Sequence, residues 1–132
     1  MKTINETTYV DCAEAAIKAL RDRSKKDKSG KPMMVTTSQI RNLLSLISAI
    51  GNDVLSFRKE DLSDSIKERI AYLKVRFLYD AGRDPKVKSF VETAKLIDIV
   101  EEIDGKRSNF MLFSRYMEAL VAYHRYYGGK DQ

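Results

Sequence analysis

RIAYLKVRFLYDAGRDPKVK, Arg69 to Lys88, carries two helical patterns at once, and separating them yields both a fold class and a candidate surface. At about 100° per residue, Ile66, Ile70, Leu73, Phe77 and Ala81 fall on one stripe, the core face of an amphipathic helix. Arg69, Tyr72, Arg76 and Tyr79 recur at spacings of three and four along a second line, well over a quarter-turn away. Six basic residues in the stretch (Arg69, Lys74, Arg76, Arg83, Lys86, Lys88) stand against two acids, Asp80 and Asp84, a local net charge of +4 in a chain of net +5.

Clustering matters because a diffuse excess of lysine mainly aids solubility, whereas a local one builds a potential that attracts phosphate. Guanidinium groups pair with phosphates bidentately, and tyrosine rings stack on bases or hydrogen-bond to a backbone. A plainer reading of the same helix leaves Arg69 and Arg76 as solvated surface, with the tyrosines rimming the core and only their hydroxyls wet. Gly82 is expected to end the helix in the left-handed conformation, and Asp84-Pro85 reads as the N-cap and first-turn proline of the next. Lys86 and Lys88 then lie in a first turn, where the macrodipole disfavours a cation by about 0.3–1 kcal/mol. A docked anion would reverse that sign, with backbone N–H groups, Arg83, Lys86 and Lys88 converging on one phosphate. Long lysine side chains swinging into water are the plainer account.

Outside this stretch the periodicity is helical throughout, with no β-type alternation and no internal repeat. Tyr9 to Arg23 reads as a modest amphipathic helix with Val10, Ala13, Ile17 and Leu20 inward. A polar, lysine-rich linker follows, residues 24–34. Thr36 and Gln39 form a T-x-x-Q capping box ahead of Ile40, Leu43, Leu44, Ile47 and Ile50, so a second helix starts near Thr37. Arg41 projects from its first turn, away from the apolar series. The Arg/Tyr helix is the third, entered between Ser63 and Ser65. A fourth is expected from Pro85 to about Ile103, with Val87, Phe90, Val91, Ala94 and Ile97 inward and acids at its far end. The fifth, Ser108 to Tyr127, is apolar nearly all round and closes at Gly128-Gly129, which makes it central to a bundle or shared with a partner subunit. The expected architecture is all-α, a compact bundle of about five helices in one domain spanning residues 1–132.

Composition excludes several classes of function. A chain of 132 residues that is 43% hydrophobic and 33% charged can bury its own core without disulfides or metal. The lone Cys12 rules out a disulfide framework and suits a reducing cytoplasm. The opening MKTINETTYVD lacks the apolar core of a secretory signal, and no apolar run approaches the ~18 residues of a membrane span. His124 is the only histidine, with no second histidine or cysteine at ligand spacing, so neither a zinc site nor a Cys/His dyad is supported. A packed or surface histidine is the simpler assignment. The pairing of an arginine with a histidine four to six residues later, as in helical ribonucleases of the HEPN class, is absent: eight residues separate Arg115 from His124. No phosphate-binding or nucleophile-elbow glycine motif occurs. The acids Asp98, Glu101, Glu102 and Asp104 could attract a divalent ion, but a charged helix end explains them as well. No catalytic residue, metal or cofactor is assigned, and a binding module remains.

Three blocks carry a resemblance: VTTSQIRNLLSLI from Val35 to Ile47, RIAYLKVRFLYDAGRDPKVKSFV from Arg69 to Val91, and RYMEALVAYHRYYGG from Arg115 to Gly129. Together, and in this order, they resemble the small subunit of type III-A CRISPR effector complexes, the Csm complexes. The resemblance implies a compact helical protein without catalytic activity, whose copies stack beside the backbone subunits and line the groove that holds crRNA and its paired target RNA. It implies contact with nucleic-acid backbone rather than base reading, since recognition is delegated to base pairing. RNA cleavage in such complexes belongs to the neighbouring backbone subunit. The expected partners are crRNA, target RNA, other Csm subunits and further copies of the chain in the cytoplasm, with no membrane and no small-molecule substrate. The candidate phosphate contacts are Arg41, Arg69, Lys74, Arg76, Arg83, Lys86 and Lys88, with Lys74 beside the apolar stripe. Other readings are the small subunit of a Cmr-type (III-B) complex, a helical ribonuclease or toxin using His124, and a scaffold that touches only protein.

Overall fold

A computed structural model describes residues 1–24 and 34–128; the lysine-rich linker, but for its ends, and Gly129 lie outside the described residues. Six helices form among them: α1 (Tyr9–Ser24), α2 (Thr37–Ser56), α3 (Asp64–Arg83), α4 (Pro85–Thr93), α5 (Leu96–Glu102) and α6 (Arg107–Tyr126). The all-α reading is correct, with one helix more than the expected five. None of the described helices is long and apolar enough to cross a membrane.

The extra helix comes from a break within the expected fourth, and hydrophobic phase explains it. Val87, Phe90, Val91 and Ala94 are buried along α4. An uninterrupted helix would next turn Asp98 and Glu101 toward the core. Instead Lys95 takes a left-handed conformation (φ 58°, ψ 37°), which resets the phase so that Leu96, Ile99, Val100 and Ile103 are buried. Left-handed backbone costs a residue with a Cβ about 1–2 kcal/mol. Burying a large aliphatic side chain contributes about 1.5–3 kcal/mol, so the exchange is favourable. The buried Tyr116 hydroxyl donates to the Ala94 carbonyl at 2.8 Å, occupying an acceptor at the break.

The α3–α4 junction also departs from expectation. Gly82 remains helical, without positive φ, and α3 runs one residue further to Arg83. Termination falls to Asp84 (φ −142°, ψ 119°), held extended because Pro85 clashes with a helical residue before it. Asp84 caps α4 as expected, accepting the Lys86 amide at 2.8 Å.

Helix α6 is the packing centre, lying against α1, α2 and α5. Phe110 and Phe113 meet edge to face with ring centroids 6.5 Å apart, and Phe113 is 6.4 Å from Phe77 of α3. Gly128 (φ 87°) follows its last turn in the left-handed conformation expected of a closing glycine. His124 proves to be a packed histidine, 1% exposed, with Nε2 2.7 Å from the Val35 carbonyl. That carbonyl only accepts, so Nε2 carries the proton and His124 pins the entry to α2 against α6. Val10, expected inward on α1, is exposed, and Ala16 is buried instead.

At the other end two loops are stitched together. Leu62 N–H donates to the Gly105 carbonyl at 2.9 Å and Arg107 N–H to the Glu60 carbonyl at 2.8 Å. The Glu60 carboxylate accepts the Ser108 amide and hydroxyl at the start of α6, and these bonds hold its pKa below the ordinary value. Gly105 (φ 69°) has no room for a side chain, since a Cβ there would stand 2.7 Å from Cε of Lys67. The N-terminal segment is tied to α5 by Glu102, which accepts the Lys2 and Thr3 amides at 2.9 and 2.8 Å. Burial opposes its charged form, but the Thr3 and Lys2 donors prevail and lower its pKa.

Lys95→Gly should stabilise the fold by up to about 1 kcal/mol, since glycine removes the left-handed penalty at the cost of some chain entropy. Urea unfolding measures it; a loss of stability would mean that the Lys95 side chain, rather than the phase shift alone, holds the break.

Candidate nucleic-acid interface

The phase of α3 decides what it presents outward. Ile66, Ile70, Leu73, Phe77 and Ala81 are all buried, as the 3.6-residue pattern requires. The opposite side carries a continuous exposed strip: Tyr72 61%, Val75 53%, Leu78 51% and Tyr79 57% exposed. The tyrosines therefore stand in solvent over much of their rings rather than rimming the core. Val75 and Leu78 were not anticipated as surface residues, although the same helical wheel places them away from the buried stripe.

The seven candidate cations separate into groups. Arg69 is engaged by protein: its guanidinium pairs with Asp53 and donates to the Ala49 carbonyl at 3.1 Å, clamping α3 to α2. Lys74 pairs with Glu101 and ties α3 to α5. Neither charge is neutralised by burial, but each already has a carboxylate. Arg41 is exposed on the first turn of α2.

Arg76 and Arg83 share one cleft. Seven residues apart, hence about 10.5 Å along the axis, they line a space of about 490 Å³ between α2 and the α3–α4 junction, with Gln39, Asn42, Asp80 and Asp84. Leu43, Leu46 and Val87 supply its apolar lining. Among the described residues no ion pair forms to Arg76 or Arg83. The Arg76 Nε is buried with no hydrogen-bond partner, and the Arg83 guanidinium sits 5.5 Å from the Tyr79 ring centre. Gln39, which closes the capping box of α2 by accepting the Thr36 amide, turns its Nε2 to Asp84 at 2.8 Å. A signal for the cleft existed in the i, i+7 spacing of Arg76 and Arg83. Nothing in the sequence indicated that α2 would supply its other wall.

The α4 N-terminus does not gather the junction cations. Its cap is filled by the Asp84 carboxylate, one oxygen taking the Lys86 amide and the other Gln39. Arg83 faces the α2–α3 cleft, whereas Lys88 lines a second space of about 510 Å³ with Leu78, Val91, Glu92, Lys95 and Asp98. Lys86 is half-buried and Lys88 exposed. Among the described residues no group of three or more histidine, cysteine or acidic side chains is arranged to hold a metal.

Comparison with known proteins adds an independent finding. The family model described as Csm2 Type III-A matches residues 14–130. A Streptococcus thermophilus protein named CRISPR system Cms protein Csm2 is 43% identical over 131 residues, 99% of this chain and 100% of that relative. Proteins of the same name from Mycobacterium tuberculosis and Enterococcus italicus are 42% identical over 98 residues and 38% over 110, covering 74% and 77% of this chain and 79% and 78% of those relatives.

The split among the cations makes a stability test. Arg69→Ala should cost about 1 kcal/mol through loss of the Ala49 bond and the Asp53 pair. Arg76→Ala, which deletes a buried donor without an acceptor, should change stability by no more than about 0.5 kcal/mol. Urea denaturation of the two variants compares them; equal losses would place Arg76 in the structural framework alongside Arg69.

Proposed function

Because the chain belongs to the Csm2 type III-A family, we propose that it is the non-catalytic subunit of a crRNA-guided interference complex that holds RNA by its backbone without reading sequence. In this reading copies of the chain stack on one another beside the other Csm subunits in the cytoplasm. Their outward strips line the path of the crRNA and its paired target RNA. The observation that carries the reading is the sorting of charge along α3: Arg69 and Lys74 are spent on neighbouring helices, while Arg76 and Arg83 stand without carboxylate partners next to exposed Tyr72 and Tyr79. Arginine flanked by aromatic rings suits phosphate pairing and base stacking that tolerate any sequence. Arg41, Lys86 and Lys88 are assigned to the same surface as outlying phosphate contacts. Arg69 and Lys74 remain candidates only where RNA competes with Asp53 and Glu101.

The other readings lose support. A ribonuclease or toxin would need His124 at a scissile phosphate, yet its ring is buried and its Nε2 is bonded to the Val35 carbonyl. The match to a type III-A family model favours the Csm assignment over a Cmr-type subunit.

Two measurements test this function. The full chain should bind single-stranded RNA weakly, with affinity falling as salt rises, and the double substitution Arg76→Ala with Arg83→Ala should flatten the log-log salt slope by about 1.4, or about 0.7 per phosphate released. A salt-independent affinity, or a strong preference for one base sequence, would overturn the backbone-binding reading. In a reconstituted complex, His124→Ala should leave target cleavage intact at temperatures where the variant remains folded. Lost cleavage with assembly preserved would restore the ribonuclease reading.

A further inference from the structure

The α2–α3 cleft contains a carboxylate that a phosphate groove would be better without. Asp80 lies on α3 four residues after Arg76 and three before Arg83, and lines the same cleft as both. The cleft's other acid, Asp84, is fully engaged, with Oδ1 accepting the Lys86 amide and Oδ2 accepting Gln39 Nε2, each at 2.8 Å. Asp80 has no such role: among the described residues it forms no ion pair, and no side-chain hydrogen bond reaches it. It is half-buried, so its carboxylate is an unclaimed acceptor between two unclaimed guanidinium groups.

That pattern specifies a ligand. A simple anion would be drawn by Arg76 and Arg83 but repelled by Asp80, and a cationic partner would meet the reverse. The complement is a molecule that offers anionic acceptors at two points and a hydrogen-bond donor between them. A ribonucleotide segment does this, with phosphates flanking a 2′-hydroxyl; the deoxy chain lacks the donor. The buried Arg76 Nε, which has no acceptor, fits the same picture, since an arginine holding a phosphate side-on uses Nε together with a terminal nitrogen. Tyr79, under the Arg83 guanidinium, keeps the second cation at the mouth of the cleft.

The geometry points to the Arg76–Asp80–Arg83 cleft as a ribose-sensing site, in which Asp80 accepts the hydrogen bond of a 2′-hydroxyl while the two arginines hold the phosphates on either side. This rests on the reading of the chain as an RNA-backbone-binding subunit and adds to it a discrimination between RNA and DNA. Asp80 is a specificity determinant here, and the arginines supply affinity.

The test uses the full-length chain and three oligomers of one uridine sequence: RNA, its 2′-deoxy analogue and its 2′-O-methyl analogue. The last retains an RNA-like sugar but no donor, which separates the hydrogen bond from sugar shape. The parent chain should prefer RNA over both analogues by about five- to tenfold, the scale of one hydrogen bond to a charged acceptor. Asp80→Ala should abolish that preference by lowering RNA affinity, with the salt slope unchanged and affinity for the analogues unchanged or higher. Asp80→Asn, equal in size and retaining a neutral acceptor, should fall between, which guards against a folding defect in the alanine variant. Arg76→Ala with Arg83→Ala should weaken all three oligomers by the same factor. If Asp80→Ala shifts all three affinities equally, or if the parent chain does not distinguish them, the ribose assignment is overturned while backbone binding stands. If no oligomer binds in a salt-dependent way, the RNA-binding reading falls, and this assignment with it.

Discussion

Burial of the aromatic face of α6 is the constraint from which the rest of the architecture follows. Phe110, Phe113, Tyr116, Met117 and Leu120 present more apolar surface than any one neighbour can cover, so α1, α2 and α5 pack around this helix and Phe77 of α3 reaches Phe113. Interiors of this kind are close-packed, and a helix docked on such a core has little freedom to rotate about its axis. Once Phe77 is seated, every other residue of α3 has a fixed direction. Tyr72, Val75, Leu78 and Tyr79 must face out, and Arg76 and Arg83 must flank them.

The same demand for apolar burial explains the one place where the backbone is forced. A continuous helix after Pro85 would bring acids to the core side, and the chain accepts a left-handed Lys95 to keep Leu96, Ile99, Val100 and Ile103 inside. The consequence reaches the surface, because turning α5 leaves Glu101 outward, where it meets Lys74 of α3. A backbone break thus removes one cation from the candidate interface. Arg69 is removed in a similar way by the end of α2, through Asp53 and the Ala49 carbonyl. What the outer face offers to a nucleic acid is decided as much by these internal pairings as by the number of basic residues.

The capping chemistry of the α3–α4 junction serves structure first. A carboxylate at a helix N-terminus satisfies backbone donors and complements the macrodipole, which are the same features that would attract a phosphate. Asp84 supplies both from within the chain and is itself steadied by Gln39 of α2. The cationic character of the region therefore resides in the cleft beside the junction.

Local chemistry made much of the chain legible from its residues alone. The capping box at Thr36 and Gln39, the buried stripe of α3, the Asp84-Pro85 helix start and the closing Gly128 each depend on residues a few positions apart, whose geometry does not change with context. The absence of a partner for His124 was readable for the same reason. The break at Lys95 was also present, as a jump in hydrophobic phase between Ala94 and Leu96, but it lacked the glycine or proline that usually marks one. Other features depended on residues far apart in the chain and so required the tertiary structure. The pairing of Arg69 with Asp53 and of Lys74 with Glu101, the bond from His124 to Val35, and the wall that Gln39 and Asn42 provide opposite Arg76 and Asp80 all join separate helices. Periodicity states which way a side chain points from its own helix. Which carboxylate waits there, or whether none does, is decided by how the helices pack.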